Sequence, residues 1–227
     1  MALRGKGMLI VFNAVRPRHE RDFNEWYNRE HIDERVSLPG FRRARRYTAA
    51  DARTDPRYLA TYECDTVNAL ATRRYLKLLA NQTPWSQQVM ARFTHFQRLT
   101  LRIRVDLANG FGGAITCLRF VPDPGRAARL AGWLRREVLP AAIAQPGIVG
   151  AFAGENDLDI ANAPGKAQGG TYPVVDAVEW AVVLEGTDAR AASAAARTLL
   201  SRRALAAFGV KNAPVAGTYT LLFGNDR

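Results

Sequence analysis

The chain of 227 residues carries a net charge of +11, with 48% hydrophobic and 23% charged residues. This composition is that of an ordinary globular protein, and no apolar run approaches the ~18 residues that a membrane span needs. The basic start of the chain precedes too short an apolar stretch for a signal peptide, so we predict a cytoplasmic protein without a membrane partner. Cys64 and Cys117 are too few for a disulfide scaffold, and we expect both to be buried thiols.

The positive charge does not by itself indicate a nucleic-acid partner. Only Lys6, Lys77, Lys166 and Lys211 are lysines, and the arginines are spread along the whole chain instead of forming one patch. The sequence also contains none of the familiar nucleic-acid-binding motifs. We therefore expect no nucleic acid, and the charge is consistent with an anionic small ligand.

The first half of the chain predicts the element order β-α-β-β-α-β. Apolar or alternating runs predict strands at 8–15, 41–48, 58–64 and 93–105, and helical spacing predicts helices at 23–40 and 66–81. Asp65 or Thr66 is expected to cap the second helix. The Gly- and Asn-rich segment 106–113 then has the composition of a linker.

The same pattern starts again after this linker. Trp133 follows Trp26 by 107 residues (133 − 26), and Glu137 follows Glu30 by the same number (137 − 30). Farther along, the offset between the matching Glu63 and Glu185 is 122 residues (185 − 63). The second copy therefore has about 15 additional residues (122 − 107), which we assign to a loop insertion at 154–173.

Two such copies predict an α+β fold made of tandem ferredoxin-like β-α-β-β-α-β units, residues 1–107 and 108–227. A sheet covered by helices on one side leaves its other face bare. The two antiparallel sheets are therefore expected to pack face to face as a pseudo-twofold pair in one chain. A free edge strand in each unit would also allow a homo-oligomer.

Four motifs of the first half form a recognisable set. They are Phe23-x-x-Trp26-Tyr27-x-x-Glu30-His31, Leu38-Pro39-Gly40-Phe41, Arg45-Arg46-Tyr47 and Thr83-Pro84-Trp85-Ser86. With these motifs, and with an architecture that matches over nearly the whole chain, the sequence resembles the dimeric α/β-barrel superfamily and, within it, the EthD-like proteins of bacterial catabolic clusters. The resemblance implies that the two sheets form a pseudo-dimeric α/β barrel with a ligand in its interior. It leaves the reaction class open, because members include monooxygenases, isomerases, cyclases, dehydratases and haem-degrading enzymes.

Polar residues of the first predicted helix are the catalytic candidates. At 100° per residue, two carboxylates and an imidazole share a stripe roughly 140° wide with aromatic residues. The stripe contains Trp26, Glu30, Phe23, Glu34, Tyr27 and His31. Tyr27, His31 and Glu34 have apolar counterparts in the second copy, so we predict acid/base catalysis by His31 with Tyr27 and Glu34 as supports. The alternative is that His31 hydrogen-bonds a backbone carbonyl at the edge of the core.

The substrate-binding candidates are Trp26, Glu30, Arg43 and Arg45. Trp26 and Glu30 recur in the second copy, which favours a packing role for that pair.

Arginines lie on both faces of the strand 41–48, and either Arg42 and Arg46 or Arg43 and Arg45 are expected to point inward. An inward arginine needs a partner, which could be Glu30, Glu34 or a substrate carboxylate or phenolate. Solvation at an edge strand is the remaining alternative.

The remaining residues predict neither a metal nor an organic cofactor. His19, His31 and His95 lack the spacing of metal ligands, and the acidic stretch 155–159 lacks the other ligands of a calcium loop. No Gly-x-Gly-x-x-Gly motif follows a predicted strand.

The leading hypothesis is therefore a small-molecule enzyme that uses metal-free acid/base chemistry in the barrel interior. Its substrate would be a carbonyl or phenolic metabolite, either neutral or anionic. Its reaction would be of the isomerase, cyclase or dehydratase type. One alternative is a non-catalytic ligand-binding or accessory protein of a catabolic pathway. Another is a cofactor-independent or haem-linked monooxygenase.

Overall fold

Strands and helices follow one another in the order β-α-β-β-α-β in each half of the computed structural model, which describes residues 3–169, 172–211 and 213–226. The strands are β1 Gly7–Val15, β2 Phe41–Ala49, β3 Tyr58–Cys64, β4 Phe93–Asp106, β5 Ala114–Phe120, β6 Ile148–Asn156, β7 Trp180–Gly186 and β8 Val215–Asp226. The helices are α1 Glu20–Trp26, α2 Ile32–Val36, α3 Arg73–Ala80, α4 Pro84–Met90, α5 Ala127–Trp133, α6 Leu139–Ile143, α7 Leu158–Ala167, α8 Ala189–Leu199 and α9 Arg202–Ala206.

The two four-stranded sheets join at both edges and form one closed antiparallel barrel, in the order β1-β3-β2-β8-β5-β7-β6-β4. Ala49 of β2 lies opposite Tyr219 of β8, and Leu101 of β4 lies opposite Asn156 of β6. The predicted α+β pseudo-dimeric barrel is confirmed, with one addition. The edge strands considered for pairing with another copy are paired within this chain.

Each strand sends alternate side chains to the barrel interior and to the helices outside. The interior side chains are Met8, Ile10, Phe12, Tyr47, Leu59, Leu99, Leu101, Ile103, Ile115, Cys117, Phe152, Ala181, Val183 and Tyr219, none more than 7% exposed. Two further apolar cores lie between the sheet and the helices, one in each half. Both cysteines are buried free thiols, as predicted.

One end of the barrel interior is closed by buried ion pairs. Arg43 donates to both oxygens of Glu63 at 2.8 Å, and Arg45 donates to Glu185. The Phe111 ring lies over Arg43, 4.5 Å from its guanidinium carbon. The inward pair of β2 arginines is therefore Arg43 and Arg45. Their partners are the two glutamates that match between the copies, not Glu30 or Glu34, the partners proposed from the sequence.

The first helical region contains a π-helical turn, Tyr27–His31, between α1 and α2. The Ile32 N–H reaches back five residues to the Tyr27 carbonyl, and the Leu139 N–H reaches the Leu134 carbonyl in the same way in the second half. The second turn, Leu134–Val138, follows the first by the 107-residue offset (134 − 27). The sequence predicts a regular helix over 23–40; the helical residues instead run from Glu20 to Val36.

Two other segments differ from the sequence prediction. Residues 67–71 form a 3₁₀ turn, and α3 begins only after Thr72, whose extended backbone and side chain, accepting from the Tyr75 N–H at 3.3 Å, cap it. The predicted loop insertion 154–173 contains the end of β6 and the helix α7. Asp157 accepts from the Ile160 N–H and starts this helix, whereas residues 170 and 171 lie outside the described residues.

No helix within the described ranges is both long enough and apolar enough to cross a membrane.

The buried ion pairs predict a large difference between two charge-removing substitutions. Glu185→Gln should lower the free energy of unfolding by about 3 kcal/mol, because Arg45 would remain buried without its closest carboxylate. Arg42 lies on the same strand as Arg45 but forms a half-exposed ion pair with Asp65. Arg42→Gln removes this pair and should change the free energy of unfolding far less. Urea denaturation of both variants measures this. Equal losses would contradict a stabilising role of the buried network.

Candidate functional site

A cavity of about 40 Å³ lies between the sheet of the first half and the helix that contains the π turn. The polar and aromatic side chains that line it include Tyr27, His31, Arg35, Tyr62, Tyr75 and Arg98. Tyr27 and His31 lie one turn apart, with ring centroids separated by 4.7 Å. The π turn thus presents both candidate catalytic side chains to one cavity. Since the second half has the same turn, this backbone feature alone is no evidence of chemistry.

His31 is a partly buried, neutral imidazole beside this cavity. Its ring packs against Trp26, with 4.1 Å between ring centroids, and its Nδ1 is buried without a hydrogen-bond partner among the described residues. Burial holds the pKa of His31 well below its ordinary value of 6.5, and the positive charges of Arg35 and Arg46 lower that pKa further. At neutral pH the ring therefore has a nitrogen able to accept a proton.

Tyr27 is held in place by polar neighbours on both sides. Its hydroxyl accepts a hydrogen bond from Asn13 Nδ2 at 3.0 Å, and the Arg46 guanidinium carbon lies 4.2 Å from its ring centroid. Arg46 itself donates to Asn24 and Asn28, each at 2.7 Å. Burial raises the pKa of Tyr27, so its hydroxyl keeps its proton at neutral pH and can donate it in a hydrogen bond.

Glu34 acts on Arg35 and not on the His31 Nδ1. Its carboxylate accepts from Arg35 Nη1 at 2.6 Å, and the same nitrogen lies 3.4 Å from the His31 carbonyl oxygen. Burial raises the pKa of Glu34. The sequence predicts that Glu34 orients the imidazole ring. In the structure its carboxylate instead binds Arg35, the neighbouring residue.

Trp26 and Glu30 join the first helical region to α4. Glu30 Oε1 accepts from Thr83 at 2.6 Å, from Ser86 at 2.9 Å and from the Trp26 indole at 3.2 Å. In the second half Trp133 instead stacks on Phe208, and Glu137 is exposed. The recurring residues therefore do not make recurring contacts. In the first half they form a wall of the site, with the Trp26 ring packed on His31.

Arg43 and Arg45 lie on the other face of β2, in the barrel interior, and the structure does not bring them to His31. The β2 arginine on the helix side is Arg46. Strand alternation could have identified Arg46 as a site residue, because an inward Arg45 requires an outward Arg46. Asn13, Arg35, Tyr62, Tyr75 and Arg98 also belong to the site and were not predicted, because they come from separate elements that only the fold brings together.

A second cavity of about 170 Å³ adjoins the first and shares Phe96, Arg98 and Tyr172 with it. Arg98 Nη2 lies 3.2 Å from the Tyr75 hydroxyl, and its guanidinium carbon lies 6.0 Å from the Tyr172 ring centroid. The cavity beside His31 has room for little more than one water molecule. The adjoining cavity supplies the volume that a small organic molecule needs.

Within the described ranges, no cluster of three or more His, Cys, Asp or Glu side chains is placed to hold a metal ion.

The closed strand order and the repeated β-α-β-β-α-β arrangement define a pseudo-dimeric α/β barrel within a single chain. Neither a family model nor a curated protein sequence matches the chain.

Solved structures do match over almost its whole length. An anthrone oxidase-like protein has a TM-score of 0.67 at 13% identity, covering 100% of this chain and 95% of its own. A proposed monooxygenase from Fusobacterium nucleatum subsp. nucleatum has a TM-score of 0.60 at 8% identity, covering 99% and 96%. Another from Lactobacillus acidophilus has a TM-score of 0.59 at 12% identity, covering 97% and 96%. At these identities the likeness shows the fold alone.

The two matched glutamates offer a direct test of the wall of the site. Glu30→Ala should cost about 1–3 kcal/mol of unfolding free energy, because the Trp26, Thr83 and Ser86 donors lose their common acceptor. The exposed Glu137→Ala is the matched control and should stay within about 0.5 kcal/mol of the unmodified protein. Chemical denaturation compares the two. Similar effects would show that both copies use the glutamate alike.

The low pKa of His31 predicts a pH-dependent stability. Below pH 6.5 the unfolded chain binds a proton on His31 that the folded chain does not, so the free energy of unfolding falls as the pH decreases. The contribution of this one group has a slope of at most about 1.4 kcal/mol per pH unit. His31→Asn should flatten the curve between pH 6.5 and the lowered folded-state pKa. Identical curves for both proteins would refute a buried neutral His31.

Proposed function

We propose that the protein is a small-molecule enzyme in which His31 removes a proton from a carbonyl or phenolic substrate bound between the sheet and the helices. The observation that carries the proposal is the His31 ring at the wall of an aromatic-lined cavity, with a buried Nδ1 that has no hydrogen-bond partner among the described residues. A general base must be unprotonated, which the lowered pKa of His31 supports. It must also be within reach of its substrate, which requires side chains to move and join the cavity beside His31 to the larger adjoining one.

The charges around the cavity support the same chemistry. Removing a proton next to a carbonyl, or from a phenol, leaves an anionic oxygen that positively charged groups stabilise. Arg98 lines both cavities, and Arg46 makes its hydrogen bonds to the neutral Asn24 and Asn28, so that its charge acts on the site. The protonated His31, whose pKa is low, would return the proton readily, as an isomerase, cyclase or dehydratase requires.

The names of the structural neighbours are compatible with a related reaction. An anthrone oxidase-like protein and proposed monooxygenases share the fold, and the anion formed by His31 is a species that dioxygen could oxidise. We include this oxidation as a second outcome of the same proton removal. The same proposal includes four further points. The chain would be an EthD-like protein, a tandem repeat with its boundary after residue 107, located in the cytoplasm and acting in catabolism.

A non-catalytic ligand-binding role is favoured by one observation. The space directly beside His31 is only about 40 Å³, which is too small for an organic substrate unless side chains move. A protein that only binds a ligand would use the larger neighbouring cavity, and His31 would transfer no proton. The two roles differ in whether His31 is needed for turnover or not.

Proton exchange of a model ketone separates these roles even though the natural substrate is unidentified. We expect the protein to accelerate hydrogen–deuterium exchange of anthrone in D₂O under argon, measured by NMR. His31→Ala should lower this acceleration by about 10²–10⁴-fold, the usual contribution of a general base. Anthrone binding, followed by tryptophan fluorescence, should persist in the variant.

The matched control is His95→Ala, which removes an exposed histidine of β4 and should leave exchange unchanged. Binding of anthrone without any accelerated exchange in the unmodified protein would favour the accessory role. A folded His31→Ala variant with full exchange activity would refute the role of His31. Repeating the assay in air shows whether an oxidised product forms.

A further inference from the structure

The second end of the barrel also contains a buried arginine, but one that is poorly matched with carboxylate. Arg119 of β5 is 6% exposed and donates through Nη1 to the Gln97 amide oxygen. Its guanidinium carbon lies 4.2 Å from the Phe12 ring centroid. Its carboxylate partner is Glu179, whose Oε1 is 3.6 Å from Nη1, beyond ordinary hydrogen-bond distance.

The opposite end of the barrel contains a buried arginine that is fully paired with a carboxylate. There Arg43 makes two parallel bonds of 2.8 Å to one glutamate, and Phe111 covers the pair. A buried guanidinium is stable when a carboxylate meets its planar fork in this way. Arg119 has a neutral amide as its close partner instead. Its charge is thus available to another anion.

The Arg119 end opens into a cavity of about 630 Å³, far larger than the cavities beside His31. Arg119 and Glu179 line its polar side, and Val121 and Val215, 48% and 49% exposed, line its apolar side. Asp123 and Lys211 add one charge of each sign at the exposed part. Such a cavity combines a single buried cation with apolar walls, the pattern that small-molecule sites use.

We propose that this cavity, which we call the Arg119 site, binds a small organic carboxylate, with the carboxylate on Arg119 and the apolar body against Val121 and Val215. The site shares Glu179 with the 170 Å³ cavity but does not include His31, and the proposal does not depend on the function of His31. It is formed by the end of β5, the start of β8 and the residue preceding β7, so it exists only when the barrel is closed.

Glu179 is the group that competes with such a ligand. It accepts from Gln97 Nε2 at 3.2 Å and holds a negative charge 3.6 Å from Arg119. Burial raises the pKa of Glu179, which shows that its charged form is not fully compensated by Arg119. Glu179 also lines the 170 Å³ cavity, so a test must separate the two sites.

Calorimetric titration with hexanoate and with hexan-1-ol tests the proposal on the full chain. We expect hexanoate to bind and the alcohol, which has the same chain but no charge, to bind much more weakly. Arg119→Gln should weaken hexanoate binding at least about tenfold, because a charge-assisted pair is lost. Glu179→Gln should strengthen it, because the competing carboxylate becomes an amide.

Two controls locate the effect. Arg53→Gln removes an arginine that is 91% exposed at its side chain and should leave hexanoate affinity unchanged. Arg98→Gln changes the 170 Å³ cavity but not the Arg119 site and should also leave hexanoate affinity unchanged, which distinguishes the two cavities that share Glu179.

Equal binding of hexanoate and hexan-1-ol, or no hexanoate binding, would overturn the proposal. So would unchanged affinity in a folded Arg119→Gln protein, with folding checked by circular dichroism. If that variant does not fold, Glu179→Gln decides, and an unchanged affinity there also overturns the proposal.

Discussion

Pairing of strand edges between the two halves is the interaction on which the rest of the structure depends. β2 with β8, and β4 with β6, turn two open sheets into one barrel. Closure gives every strand an inner and an outer face, so that adjacent residues enter different environments. On β2, Arg45 joins the ion pairs inside, whereas Arg46 lies over Tyr27 outside. The barrel thus keeps its structural charges apart from the cavity beside His31, which lies on the outer face under the helix.

The two halves share a backbone design and differ in the side chains they place on it. Both have a π turn at the same position, but Tyr27 and His31 in the first half correspond to Leu134 and Val138, which are buried in an apolar core in the second. A backbone irregularity often marks a functional site. Here both halves have the same irregularity, and the first half differs only in the polar side chains that it places beside a cavity.

The sequence by itself determined the order of the elements, because alternating and helical apolar spacing depends only on local geometry. It also indicated that the two sheets pack face to face, since half-covered sheets must bury their bare faces, but it left their edge strands free. It selected Tyr27, His31 and Glu34 by their contrast with the second half. The helix α7 escaped prediction because Pro164 and Gly165 within it are typical of loops. Turn and helix compositions overlap there.

Only the tertiary structure decided which residues meet. Sequence spacing cannot show that Glu34 is taken by Arg35, that Glu63 and Glu185 converge on Arg45, or that Asn13 reaches Tyr27. The pair Arg45–Glu185 joins residues 140 positions apart and depends on barrel closure. The Glu34–Arg35 pair joins adjacent residues, but which partner Glu34 takes depends on how the helix packs. A one-residue change of register would exchange the inner and outer faces of β2, and local sequence patterns carry no record of that choice.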